Sequence, residues 1–144
     1  MRFRLLRKGD VSAVYRLGRH IFGNQADYSW DWSRPSIRRY LRRSYGFGLV
    51  CVDERRIIGF LLVEKNYSSQ KPEVSWVTYV YVVPEYRRQD VGSQLLDRAS
   101  ARLRTFGKKE LIADVYADNS GSIAFFTKRK FVIQERWLLL RRRL

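Results

Sequence analysis

Residues Tyr79 to Leu96 read YVYVVPEYRRQDVGSQLL. Their first five residues are valine and tyrosine, which is typical of a buried strand, and Pro84 stops that strand. A short basic loop follows, and apolar residues then recur at helical spacing. Such a junction directs several unpaired backbone N–H groups and the positive end of a helix dipole toward one point. A diphosphate group suits this loop, and an ordinary strand–loop–helix corner is the alternative.

The elements around this segment predict a mixed α/β fold in one domain that spans residues 1–144. Runs rich in branched and aromatic residues predict strands at 3–6, 47–52, 57–64, 74–83, 111–116, 131–133 and 137–140. Apolar residues at helical spacing predict four helices, which begin near Asp10, Pro35, Gly92 and Asp118. The first helix is expected to end at Gly18, and the second is expected to run to about Tyr45. We therefore expect a central, mostly antiparallel sheet of about seven strands flanked by four helices.

Composition restricts the class of protein. The chain has 144 residues, of which 45% are hydrophobic and 15% aromatic, so a packed core is expected rather than disorder. Cys51 is the single cysteine, which excludes an internal disulfide. No apolar run approaches the ~20 residues that a membrane helix requires, and charges interrupt the apolar residues of the N-terminus. We expect a cytoplasmic protein that does not contact membranes.

The chain is strongly basic. Its formal net charge is +15, which attracts nucleic acid, phosphorylated ligands or acidic protein surfaces. The basic residues are scattered along the sequence rather than grouped in one block. Nucleic-acid contact therefore stays open as one use of this charge, and a solvated surface is the other.

Two motifs resemble signatures of the GNAT acetyltransferase superfamily. The frame Val82 to Leu96, VVPEYRRQDVGSQLL, resembles the family's central motif, a strand that ends in Val-x-Pro followed by Arg/Gln-x-x-Gly-x-Gly/Ala. The residues VYADN at 115–119 and FFTKRKF at 125–131 resemble the later signature, Val-x-x-x-Asn and then Leu/Phe-Tyr-x-Lys-x-Gly-Phe. The motifs occur in the family's order and at its usual separation, and the predicted elements are similar to the GNAT arrangement.

The resemblance implies that acetyl-CoA is the co-substrate, with no metal. The strand end at Val82 and Val83 would pair its backbone with the pantetheine arm, the loop from Arg87 to Ser93 would hold the pyrophosphate, and Asn119 would bond the pantetheine near the thioester. The implied cofactor contacts are Tyr81, Val82, Val83, Arg87, Arg88, Gln89, Asp90, Val91, Gly92, Ser93, Asn119 and Phe126.

The sequence departs from the family pattern at two positions that matter for chemistry. Asp90 stands in place of the first loop glycine, where a carboxylate repels phosphate. Phe126 stands where the family often has a tyrosine that protonates the departing sulfur. Water, or a tyrosine such as Tyr116 or Tyr79, is the candidate for that role, and core packing is the alternative for each tyrosine. Glu73, just before the long strand, is the candidate general base, followed by Asp114, and a surface charge is the alternative for each.

The resemblance implies an N-acetyltransferase in which an amine attacks the thioester directly. The acceptor can be a protein amino group or a small amine. An acidic protein, or a protein bound to nucleic acid, fits the basic surface better than a highly cationic small molecule, because the surface would repel the latter. The alternative is a catalytically degenerate module that binds CoA or associates with nucleic acid. The aromatic residues Tyr28, Trp30 and Trp32 are a candidate acceptor wall, with core packing as their other use. The sequence is compatible with either a monomer or a homodimer.

Overall fold

The computed structural model describes residues 1–23 and 31–144, and they divide into two compact units, Met1–Ala113 and Asp114–Leu144. The first unit contains a five-stranded sheet whose strands lie in sequence order. These strands are β1 (Arg2–Leu5), β2 (Gly46–Asp53), β3 (Arg56–Glu64), β4 (Val74–Val82) and β5 (Glu110–Ala113). The first three pairings are antiparallel, and β4 pairs with β5 in parallel. The mixed α/β class and the mostly antiparallel sheet are confirmed.

The described residues form four α-helices, as the periodicity predicts. They are α1 (Val11–Phe22), α2 (Arg34–Arg38), α3 (Val91–Thr105) and, in the second unit, α4 (Ser120–Thr127). Ser33 caps α2, since its hydroxyl accepts from the Ser36 amide at 3.2 Å, and α2 continues only as a 3₁₀ turn over Arg39–Leu41. No helix in the described ranges is both long and apolar enough to cross a membrane.

Helix α1 extends beyond the end predicted at Gly18. A β-carbon at Gly18 would lie 2.3 Å from the Trp32 ring, so the glycine admits an indole rather than ending the helix. Trp32 is buried with Val14, Ile37, Phe60 and other apolar residues between the sheet and the first two helices. Helix α3 packs against β2, β3 and β4. Because side chains alternate along a strand, the sheet carries a core on each face.

The strand count is corrected from about seven to five. Residues 131–144 form no strand in the described part of the chain, although 131–133 and 137–140 have strand-forming composition. The side chains of Trp137, Leu138 and Leu140 are 75%, 87% and 86% exposed. A strand requires a hydrogen-bonding neighbour and a surface to pack on, and composition alone provides neither. For the same reason β5 ends at Ala113, where its pairing with β4 ends, rather than at Tyr116.

Candidate active site

Strand β4 has an edge that its neighbour only partly covers. The pairing with β5 covers Val74–Val77 and then stops. At that point the register with β3 shifts between Leu62 and Val63, and Thr78 is the β4 residue without a partner in the register. Such an extra residue is a β-bulge, which bends a strand and increases its twist. Beyond the bulge, the outward backbone groups of β4 are not paired with β5.

The backbone hydrogen bonds identify the residue that presents polar groups on this edge. The Val83 amide donates to the Ile58 carbonyl at 2.9 Å, and the Val83 carbonyl accepts from the Tyr86 amide at 3.0 Å. Consecutive residues of a strand point their amides and carbonyls to opposite sides, so Val82 faces away from β3. The Arg87 Nε donates to the Val82 carbonyl at 3.0 Å from that outer side. Of the two valines predicted to pair with the pantetheine arm, Val82 has the outward backbone groups.

The basic loop has a backbone shape that suits an anion. Arg88 and Asp90 both adopt the left-handed conformation, with φ of 68° and 63°. Turns of this kind direct successive N–H groups into a concave surface that binds anions. The first intrahelical bond of α3 runs from the Gln94 amide to the Asp90 carbonyl, so the amides of residues 91–93 lie in the first turn, before any intrahelical acceptor. The loop and the first turn of α3 thus contribute donors to one place.

Asp90 keeps the conformation that a glycine would adopt there. Aspartate tolerates the left-handed region better than most residues with a β-carbon, because its short polar side chain can bond locally. The side chain is exposed and makes no capping hydrogen bond to α3. The departure from the family pattern therefore preserves the backbone path and adds a negative charge.

The loop is fixed to the sheet at both ends. The Tyr86 hydroxyl donates to the Asp53 carboxylate of β2 at 2.5 Å, and within the loop itself the Gln89 amide group donates to the Glu85 carbonyl at 3.3 Å. On the other side, a β-carbon at Gly59 would lie 3.2 Å from a Val91 methyl, so this glycine admits the beginning of α3 close to β3. These contacts hold the loop in place without a ligand.

Tyr81 supports this end of the strand through its ring. The ring lies 5.9 Å from Phe60 in the core, and the Arg87 guanidinium lies 5.7 Å from its centre. The same arginine bonds the Val82 carbonyl, so Tyr81 and Val82 together position Arg87. Tyr81, one of the predicted cofactor residues, therefore helps to position the Arg87 side chain.

A second feature, which sequence reasoning missed, is a pocket of about 210 Å³ beside the bulge. We call it the acceptor pocket, after the role that we propose for it below. It is lined by Asp31, Ser36, Ile37, Arg39, Tyr40, Tyr45, Glu64, Trp76, Thr78 and Tyr79. The Thr78 hydroxyl donates to the Leu62 carbonyl at 3.1 Å and lies 2.7 Å from the Tyr40 hydroxyl, which ties the bulge to the pocket wall.

The acceptor pocket combines carboxylates with tyrosine hydroxyls. Tyr45, Glu64 and Arg39 line one part of its wall, and Arg39 lies 3.4 Å from Asp31. Burial, and then the interaction with Glu64, raises the pKa of Tyr45. Burial, and then the charge of Asp31, raises the pKa of Tyr79 to about 12. Both hydroxyls therefore keep their protons at neutral pH.

Two of the residues predicted from sequence, Glu73 and Trp32, lie on the surface and in the core, respectively. Glu73 is exposed and forms a surface ion pair with Lys109 at 3.4 Å. Trp32 is buried, its ring lies 5.8 Å from Phe60, and its Nε1 donates to the Tyr15 carbonyl at 3.0 Å. Trp32 thus takes the packing role, whereas Tyr28 and Trp30 lie outside the described residues.

The second unit holds the remaining predicted residues. The Asn119 side chain caps α4, since its Oδ1 accepts from the Ser122 amide at 3.1 Å. The Phe126 ring lies 5.1 Å from Phe125 and 5.0 Å from Phe131. The Tyr116 carbonyl accepts from the Asn119 amide at 2.9 Å. Burial raises the pKa of Asp114.

Comparison with known proteins agrees with these features. The sequence profile of the Acetyltransferase (GNAT) family matches residues 14–131, which include parts of both units. An uncharacterized N-acetyltransferase of Methanocaldococcus jannaschii, MJ1207, is 25% identical over 106 residues, 72% of this chain. The aligned part spans only 47% of that relative, about half of its length.

Solved structures show the same fold at low sequence identity. The aminoglycoside N-acetyltransferase AAC(6')-Iy, in complex with CoA, aligns with a TM-score of 0.82 at 19% identity over 99% of this chain and 95% of its own. The aminoglycoside 6'-N-acetyltransferase AAC(6')-IG of Acinetobacter haemolyticus gives 0.78 at 20% identity over 100% and 99%. With the profile match over most of its length, the chain belongs to the GNAT family of acetyltransferases.

Proposed function

We propose that this chain transfers the acetyl group of acetyl-CoA to an amine. One continuous feature of the first unit carries the proposal: the outer edge of β4 leads from the basic loop to the bulge at Thr78, beside the acceptor pocket. The five residue steps from Thr78 to Val83 span roughly 17 Å of extended backbone. Family membership supports the same reaction.

The groups on this path suit the parts of a CoA molecule in order. The amides of residues 91–93 and the side chains of Arg87 and Arg88 would hold the pyrophosphate. The outward amide and carbonyl of Val82 would bond the pantetheine, once the Arg87 side chain releases that carbonyl. Bound acetyl-CoA supplies an acetyl group activated as a thioester. The chain contributes position and proton handling.

The acceptor pocket suits a single ammonium group. It holds two carboxylates, Asp31 and Glu64, against one guanidinium, Arg39, and aromatic rings form much of its wall. Carboxylates and aromatic faces both attract a cation. The chain as a whole carries +15, so a polycation is repelled before it reaches the pocket. We therefore propose an amino group of a protein or peptide as the acceptor, preferably one in acidic surroundings.

Glu64 is the carboxylate best placed to accept the proton of the acceptor amine. It lies in the pocket wall and helps to raise the pKa of Tyr45, whereas Glu73 is held in a surface ion pair. Tyr79 lines the same pocket and keeps its proton, so it can donate to the departing sulfur in place of the hydroxyl that Phe126 lacks. Tyr116, predicted for that role from sequence, stays a prediction.

The test measures thiol release from acetyl-CoA with a panel of amines. The panel contains a peptide with acidic residues beside its amino group, a linear polyamine and an aminoglycoside. We expect the acidic peptide to react best. Glu64→Gln should lower kcat/KM about 100-fold near pH 7 and less at high pH, where the amine is already neutral. Glu73→Gln, the matched control, should leave kcat/KM unchanged.

Three results would change these assignments. Loss of activity in Glu73→Gln alone would return the base to Glu73. Preference for the polyamine would reject the protein acceptor. Binding of acetyl-CoA without thiol release for any amine would favour the degenerate CoA-binding module, and no binding at millimolar acetyl-CoA would reject the cofactor site itself.

A further inference from the structure

A second pocket lies at the opposite end of the sheet from the basic loop. Its volume is about 100 Å³, and Arg43, Lys65 and Arg102 contribute its basic side chains. We call it the basic pocket. Gly59 of β3 pairs with the cofactor end of β4. Lys65, just past the other end of β3, is six residue steps from Gly59, a distance of roughly 20 Å along extended backbone. This pocket is therefore separate from the pyrophosphate loop and has no role in the proposed transfer.

Aromatic rings hold two of the cations in fixed positions. The Lys65 ammonium lies 4.0 Å from the centre of the Phe106 ring. The Arg102 guanidinium lies 5.3 Å from Phe47 and 5.4 Å from Phe106. The Lys65 ammonium also donates to the Arg43 carbonyl. The cations are thus arranged before any ligand arrives, which reduces the entropy lost on binding.

No carboxylate within residues 1–23 and 31–144 forms an ion pair with the cations of the basic pocket. Among the described residues, the ion pairs within 4.0 Å include none of Arg43, Lys65, Arg102 or the nearby Lys108. The Nε of Arg102 is buried without a hydrogen-bond partner in the described part of the chain. Burial, and then the charges of Arg43, Arg102 and Lys108, lowers the pKa of Lys65. Like charges gathered around one pocket repel one another, and a bound anion relieves the repulsion.

We propose that the basic pocket is a second anion site, which binds a phosphoryl group. A phosphoryl group carries nearly two negative charges and three acceptor oxygens, which match several cations better than the single charge of a carboxylate. Guanidinium groups bond such oxygens in pairs. The cavity has the volume of roughly three water molecules, enough for one small oxyanion. The phosphoryl group can belong to a free small molecule or to a phosphorylated side chain.

The experiment titrates inorganic phosphate into the full chain at constant ionic strength, with sodium chloride as the reference salt, by calorimetry and thermal melting. The wild-type chain should bind phosphate and melt at a higher temperature in phosphate than in chloride. Lys65→Met and Arg102→Gln should each weaken binding about tenfold, because each removes a charged donor from the pocket. Lys65→Met keeps the apolar stem, so it tests the site even if Arg102→Gln fails to fold.

Arg104→Gln is the matched control. Arg104 lies on the same helix, is exposed, and loses the same charge on substitution. It should bind phosphate within about twofold of the wild type, since the charge change alone is screened by salt. All three variants should keep wild-type affinity for acetyl-CoA, and this readout separates the basic pocket from the loop.

Equal melting in phosphate and chloride, or equal weakening in Arg104→Gln and Arg102→Gln, would overturn the proposal. A second titration compares a phosphoserine peptide with inorganic phosphate. Tighter binding of the peptide identifies a protein-borne phosphoryl group, and equal or weaker binding identifies a free phosphate compound. Each result supports the site if Lys65→Met weakens that binding about tenfold. Because no cofactor is needed, the result is independent of the acetyl-transfer proposal.

Discussion

At the scale of single residues, Asp90 shows how a departure from a motif can preserve its geometry. The backbone at Asp90 has a φ of 63°, a conformation that glycine adopts without steric cost and aspartate with little. The position therefore does not need a glycine to shape the loop. What the aspartate changes is the charge, since its exposed carboxylate lies at the helix end where a diphosphate would bind.

Removing this charge should tighten the binding of acetyl-CoA. We expect Asp90→Asn to lower the Kd about fivefold, which corresponds to a Coulomb repulsion of ~1 kcal/mol in solvent. Asp97→Asn, on the exposed surface of α3, removes the same charge and should leave the Kd unchanged. Calorimetry with acetyl-CoA measures both. An unchanged Kd in Asp90→Asn would mean that the carboxylate points away from the phosphates.

At the scale of elements, an ion pair fixes β1 to the beginning of α1. The two Arg4 nitrogens Nη1 and Nη2 donate to the Asp10 carboxylate at 2.7 and 3.0 Å, and the Arg7 amide donates to it at 2.7 Å. Burial by itself would raise the pKa of Asp10, but the bonds from Arg4 and Arg7 outweigh it and lower the pKa below its ordinary value. A lowered pKa means that the ionised form stabilises the fold.

Asp10→Asn should lower the free energy of unfolding by about 1–3 kcal/mol at pH 7. This stabilisation is present above the ordinary pKa of the carboxyl and is lost as the pH falls through the lowered pKa of the folded state. The difference between the variant and the wild type should therefore shrink in strong acid. Urea unfolding at several pH values measures it, with Asp97→Asn as the control. A difference independent of pH would assign the loss to packing instead.

At the scale of the whole molecule, the charge of +15 contrasts with the acidic character of the acceptor pocket. The electrostatic field of the whole chain attracts acidic surfaces, whereas the acceptor pocket attracts a single ammonium group. An amino group on an acidic protein satisfies both, and this combination is the basis of the acceptor proposal.

The same charge predicts a salt dependence. The KM for an acidic peptide acceptor should rise about threefold or more between about 50 and 300 mM sodium chloride, because salt screens the attraction. The KM for a small, singly charged amine should change little. Kinetics at both salt concentrations test this. If instead the chain binds duplex DNA with a steep salt dependence and no acceptor KM responds, the charge serves nucleic acid.

Sequence and structure agree where the information is local. The strand, loop and helix over 79–96 are contiguous, so their residue types fix a strand, a proline stop and a helix start together. The four helices and five of the seven expected strands follow from the same periodicities. The strands expected at 131–133 and 137–140 do not form, because pairing depends on a neighbour that composition cannot supply.

The amino-acid sequence by itself determined the family, the basic loop and the helix that follows it, since each depends on neighbouring residues. Tertiary structure alone decided the bulge at Thr78, the outward direction of Val82 and the acceptor pocket around Glu64. The register of one strand against another sets the first two, and the pocket gathers residues from Asp31 to Tyr79 that are far apart along the chain. Only folding brings such residues within hydrogen-bonding distance, so no local pattern identifies them.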